Sequence, residues 1–279
     1  MKTVKHPASL VQRALVYASA VVVFGVLLAL IVYILVMGVP NLKLSLFAWN
    51  YNSENLSMLP AIINTLTMIA LTLLLAVPLG VGAAIYLVEY AKRGSRLVKL
   101  VRLTAETLSG IPSIVYGLFG MLFFSKALGF GYSMLSGALT VAMMILPLVM
   151  RTTEEALLCV PDSYREGSFG LGAGRLRTVA RVVLPAAIPG ILSGVILAIG
   201  RVVGETAALM YTSGTVAKVA GLFDTGSTLA LHMYRQASEG LYTQEAYATS
   251  VVLLVLVLAI NLLSKAVAAL AQRKRGTDA

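Results

Sequence analysis

Arg201 and Glu205 are the only Asp, Glu, Lys or Arg residues between Arg181 and Lys218. On a continuous helix, residues four apart share a face and can meet. The arginine offers a planar fork of donors that suits the oxygens of a carboxylate or an oxyanion. The carboxylate can hold that guanidinium and moderate its grip on a passing anion. As an ion pair the two can also lock helix packing, and the roles can coexist. Charges inside a bilayer are costly and face a bundle interior or a wet cavity. Gly190, Gly194 and Ala198 recur every four residues before Arg201, a small-residue stripe that admits a close neighbour helix.

A second constellation lies upstream, in Pro161-Asp162-Ser163-Tyr164-Arg165-Glu166. Ser163-x-x-Glu166 has capping-box spacing and predicts a short helix starting there. Gly170, Gly172 and Gly174 are expected to end it, since glycine is favoured just past a helix C-terminus. A second helical piece then carries Arg175, Arg177 and Arg181 to Leu184-Pro185. The expected product is a capped helix on two arms, able to pass force from a soluble partner. Glu106 follows Arg102 by four residues and is expected in the first turn of a helix, where a carboxylate suits the dipole. Gly110-Ile111-Pro112 is expected to kink that helix.

Other chemistries find no residues here. The single cysteine, Cys159, excludes an intramolecular disulfide. His6 and His232 are far apart and lack cysteine partners, so no metal motif is visible. No Gly-Lys dipeptide occurs, hence no Walker A loop and no ATP hydrolysis through that machinery.

The elements that must position these residues follow from where charge is missing. Of the 279 residues 58% are apolar and 12% charged, about half the usual charged share, which argues against an ordinary soluble domain. Long gaps free of Asp, Glu, Lys and Arg predict six membrane helices near 14–38, 61–88, 105–125, 133–151, 187–210 and 248–270. The first is too long for a usual signal-peptide core, and Val39-Pro40 ends it. Arg201 then falls roughly 21 Å from the cytoplasmic edge, in the outer half of the membrane. On this layout 17 Lys and Arg lie on one side and 4 on the other. The bias puts both termini in the cytoplasm. It also accounts for the net charge of +10 as a topology signal plus contact with anionic membrane lipid, without nucleic acid. The organisation is a helix and outer loop (1–60), a five-helix core (61–270) with a cytoplasmic loop at 151–185, and a basic tail (271–279). The aromatics Tyr116, Phe119, Phe123 and Phe124 are expected to face lipid or neighbouring helices. The outer loop near 211–247 shows no chemistry of its own.

The 151–185 loop resembles the EAA loop of ABC importer permeases: Glu166-Gly167-Ser168, three residues, Gly172, nine residues, then Val182-x-Leu184-Pro185. The spacing agrees throughout, while Gly167-Ser168 replaces two alanines and Val182 an isoleucine. The segments Leu103–Gly117 and Gly200–Ala207 resemble the third and fifth spans of phosphate importer permeases. Ala105-Glu106-Thr107 favours the PstA type over the PstC type, and Ala208 stands where the family commonly has proline.

This resemblance implies an all-α, type I importer permease of the bacterial inner membrane with no covalent chemistry of its own. It implies a second homologous permease, an ATPase homodimer that binds ATP and Mg, and an external phosphate-binding protein. Ser163, Tyr164, Arg165, Glu166 and Gly172 would couple to the ATPase, and Arg201 and Glu205 would line the substrate path. Glu106, Pro112, Gly190 and Gly194 would serve structure or gating. Two other readings stay open at this point: a permease for another oxyanion such as molybdate or sulfate, and an ion-coupled secondary transporter, for which only Glu205 offers a deep carboxylate.

Overall fold

The computed structural model describes residues 7–276 apart from Ser53 and Arg93. Lys2, Lys5 and the end of the basic tail lie outside the described residues. Eleven α-helices account for most of the described chain: α1 (Pro7–Gly38), α2 (Leu59–Ile85), α3 (Arg96–Ser109), α4 (Ser113–Gly120), α5 (Met134–Leu158), α6 (Asp162–Gly170), α7 (Arg175–Thr178), α8 (Leu184–Val203), α9 (Ala207–Met210), α10 (Leu229–Glu239) and α11 (Thr243–Gly276). Wider π turns extend α2 over Tyr86–Tyr90 and α4 over Met121–Ala127, and a third, Val179–Val183, fuses α7 to α8.

Five helical stretches are long and apolar enough to cross a membrane, and the α3–α4 pair makes a sixth when counted as one broken span. The expected start of the span 105–125 is corrected, while the kink expected at Gly110–Pro112 is a full break. Helix α3 begins at Arg96, the chain bends by 100° at 110–112, and α4 leaves at a right angle. Pro112 has no N–H to continue α3 and sits extended as the N-cap of α4. The predicted span 187–210 is corrected too: one helix runs from Arg175 to Val203, and α9 is a separate turn after a break at 204–206.

Helices α2 and α5 run parallel, and α8 runs against both. A Cβ on Gly80 would lie 2.9 Å from Val149, and one on Gly137 would lie 2.9 Å from Met68, a constant offset along the two helices. On the other side a Cβ on Gly190 would reach Ala156 at 2.6 Å, and one on Gly194 would strike Thr152. The predicted small-residue stripe is thus the α8–α5 contact, and nothing larger fits without moving a backbone. Met68, Met144, Ile145, Ala198 and Val202 fill the centre of this packing.

Helix α1 stays outside. Its apolar side chains are exposed, as suits lipid, and it leans on α11 through Tyr33 and Tyr247, hydroxyl to hydroxyl at 3.0 Å. Tyr116 is buried, its hydroxyl donating to the Leu108 carbonyl across the bend at 2.9 Å, whereas Phe119 and Phe123 remain exposed.

The segment before α11 is more organised than its sequence suggests. Asn64 of α2 ties it down, donating to the carbonyls of Lys218 and Ser227 and accepting from the Ala220 N–H. In α10 the buried His232 faces Gln236 Nε2 at 3.1 Å, and Gln236 accepts from Thr249 of α11 at 2.9 Å. The groups around the ring are Tyr51, edge-on at 6.0 Å, Arg235 and the Leu56 backbone. Burial, and then the Arg235 charge, lower the His232 pKa from 6.5 to about 4.

The folded state therefore prefers neutral His232. Its contribution is full above 6.5 and is lost progressively as pH falls toward about 4. The loss is of order 3 kcal/mol at most, from about 1.4 kcal/mol per pKa unit. Hydrogen exchange on α10, corrected for intrinsic rates, should show protection that is flat above this window and falls inside it. Unchanged protection across the window contradicts the assignment.

Candidate translocation site and coupling helix

A cleft of about 550 Å3 opens between α3, α5 and α8, with Arg102, Glu106, Ser109, Arg151, Glu155 and Arg201 among its walls. Its charges are sorted along its length. Toward the α6 end, Arg102 pairs with Glu154 and Arg151 Nε donates to Glu155 at 3.2 Å. At the other end stands Arg201. The Gly194–Thr152 crossing places it seven residues further along α8, roughly 10 Å by helical rise and level with Pro147 and Leu148. Arg201 lies in the last turn of α8, where the helix dipole favours a cation. Among the described residues no carboxylate lies within 4 Å of its guanidinium.

The expected Arg201–Glu205 pair does not form. Helix α8 ends at Val203, so the one-turn relation is broken before Glu205. Glu205 instead turns back, buried, and its Oε1 accepts from the Ala208 N–H at 2.9 Å, capping α9. Glu106 is also displaced from its expected place. It lies in the last turn of α3, exposed to the cleft, and Arg102 pairs with Glu154 rather than with it. A carboxylate at a helix C-terminus is disfavoured by the dipole, so capping does not explain Glu106.

The loop between α5 and α8 holds the predicted short helix, α6, two residues earlier than expected. Pro161 is its N-cap and Asp162 its first residue, and no side chain caps it. The expected Ser163–Glu166 capping box is thus absent. The C-terminus is as expected. Gly172 takes φ +81°, its N–H bonds the Phe169 carbonyl, and the Ala173 N–H bonds that of Ser168, a Schellman motif. The second helical piece is not a separate arm, being the first turn of the α7–α8 rod.

Helix α6 presents Tyr164, Glu166, Phe169 and, just past its end, Leu171 to the exterior, with Leu171 92% exposed. Arg165 points the other way, onto Glu89 at the end of α2. Glu89 went unnoticed in the sequence. Its signal was slight: it is the carboxylate that closes a long charge-free gap.

Residues 76–276 match the family described as the binding-protein-dependent transport system inner membrane component. The chain is 34% identical over 265 residues to a probable ABC transporter permease protein, YqgI, of Bacillus subtilis, covering 88% of this chain and 90% of that protein. It is 36% identical over 218 residues to the phosphate transport system permease protein PstA of Mycobacterium leprae, covering 77% of this chain and 71% of that one. Among solved structures, a chain of the inward-facing MetNI methionine ABC transporter shares the fold, with a TM-score of 0.60 at 19% identity over 77% of this chain and 94% of that one. Matching model, near full-length relatives and bundle together make the chain a multi-pass membrane permease of the binding-protein-dependent transport system inner membrane component family.

Proposed function

We propose that the chain is the transmembrane permease subunit of an ATP-driven importer of inorganic phosphate and lines half of its path. The observation that carries this reading is Arg201, a guanidinium with no carboxylate partner among the described residues, at the end of a charged cleft away from α6. A phosphate oxyanion matches its fork. The PstA relative supports the choice of phosphate over molybdate or sulfate. Glu106, on the opposite wall, takes the moderating role first expected of Glu205: a nearby carboxylate limits anion affinity so that the substrate can leave. Glu205 acts by position, fixing the break that ends α8 just beyond Arg201.

A second homologous permease closes the open side of the cleft, where α3 and α4 expose Leu103, Ile114, Leu118 and Phe119. Helix α6 docks on an ATPase dimer that binds ATP and Mg, and an external phosphate-binding protein delivers the substrate at the far end. The charge bias supports a bacterial inner-membrane orientation with both termini and α6 in the cytoplasm.

The test is to purify the tagged chain from its native membrane and reconstitute what comes with it. The expected result is an ATPase and a second permease in the eluate, and ATP-dependent phosphate uptake that excess sulfate or molybdate does not displace. Uptake that persists without the ATPase would make the protein an ion-coupled carrier.

A further inference from the structure

Helix α6 is weakly held by packing, since none of its nine residues is buried. Its hold on the bundle is concentrated in Arg165, whose side chain is 14% exposed. All five of its N–H donors have acceptors. Nε and Nη2 donate to Glu89 Oε1 at 3.1 and 2.8 Å. Nη2 also donates to the Leu157 carbonyl at 2.9 Å, and Nη1 to the Val160 carbonyl at 2.7 Å. The fifth bond joins Nη1 to Asp162 of α6 itself at 3.1 Å. Glu89 is 8% exposed. One side chain therefore binds α6 to the last residues of both α2 and α5.

The surroundings suit a joint that moves as a unit. Glu89 sits in the π turn that ends α2, and the facing entry to α8 is also a π turn, with Val183 packed near Leu87. Wider turns of this kind interrupt the regular helical ladder and occur often at functional sites. Beyond the joint, α2 and α5 carry the centre of the bundle, and α5 forms a wall of the Arg201 cleft. Among the side-chain hydrogen bonds described for α6, those of Arg165 reach these helices, and the Ser168–Thr178 hydroxyl contact at 2.9 Å joins α6 to α7.

We propose that the Arg165–Glu89 pair is the positioning joint that converts movement of α6 into movement of α2 and α5, and so sets how much substrate crosses per ATP consumed. This rests on the ATPase-driven reading above. A buried ion pair that only packs is replaceable by apolar residues of similar volume with little net loss, whereas removing one partner strands a charge. A joint differs, because apolar replacements restore folding without restoring the directional grip.

The experiment compares Glu89→Gln, Arg165→Gln and the double variant Glu89→Leu/Arg165→Met in the complete complex. It reads complex yield, ATP hydrolysis and phosphate uptake. The single variants should lower yield. The double variant should recover yield, yet phosphate moved per ATP hydrolysed should fall by about tenfold, within the usual range of coupling energies. An unchanged ratio in the double variant overturns the proposal, as does failure of that variant to assemble. If the unmodified chain brings down no ATPase, the parent reading fails, an outcome visible before any variant is measured.

Discussion

Replacing Arg201 with glutamine should abolish phosphate uptake while leaving complex yield unchanged. Arg201 is exposed to the cleft and makes no ion pair among the described residues, so neutralising it strands no buried charge. Substitutions of that kind usually shift stability by about 0.5 kcal/mol or less. The loss should instead appear in transport. If the fork makes two charge-assisted bonds to the anion, each of about 2 kcal/mol, uptake should fall by roughly two to three orders of magnitude. Arg201→Lys keeps the charge but not the planar fork, and should be partly active at best. Glu205→Gln is the contrast. Its amide oxygen can still accept from the Ala208 N–H, so uptake should largely survive. Near-normal uptake with Arg201→Gln would remove this residue from the path, whatever the second variant does.

The difference between Arg201 and Glu205 also shows where the sequence stopped being legible. Spacing of four implies contact only while the helix continues, and α8 ends between the two. Glu106 failed for a related reason. The apolar gap begins at Glu106, which set the expected start of the span, but the helix itself begins at Arg96. The capping-box spacing at Ser163 was present, yet Pro161 moved the start of α6 forward and left that serine inside the first turn. What was read correctly depends on backbone rules that act locally: the break at Gly110–Pro112, the turn at Gly172, and the small residues of α8. What escaped is chemistry between distant residues. Glu89 and Arg165 are 76 positions apart, and Asn64 reaches more than 150 positions along the chain. No local pattern marks such partners until the helices are packed. The same limit hid His232, which Tyr51 and the Leu56 backbone approach from a distant part of the chain.

Gly172→Asp is expected to stop transport with the chain still folded in the membrane. The φ of +81° strains any other residue, but aspartate and asparagine tolerate the left-handed region best, at a cost of about 1 kcal/mol. A Cβ there would meet nothing within 4 Å, so the subunit itself offers no clash. A large defect must then arise from what lies against the end of α6 in the assembly. A carboxylate at a helix C-terminus is also disfavoured by the dipole, which loosens the Schellman turn that shapes this surface. Gly172→Asn separates these effects, since it makes the same backbone demand without the charge. The expected order is near-normal membrane yield for both variants, with ATPase capture and uptake lost by tenfold or more in Gly172→Asp and reduced less in Gly172→Asn. Equal loss in the two would assign the defect to bulk against the partner rather than to charge. Normal capture and normal uptake in Gly172→Asp would mean that the end of α6 touches no partner, and the docking role of this helix would have to be abandoned.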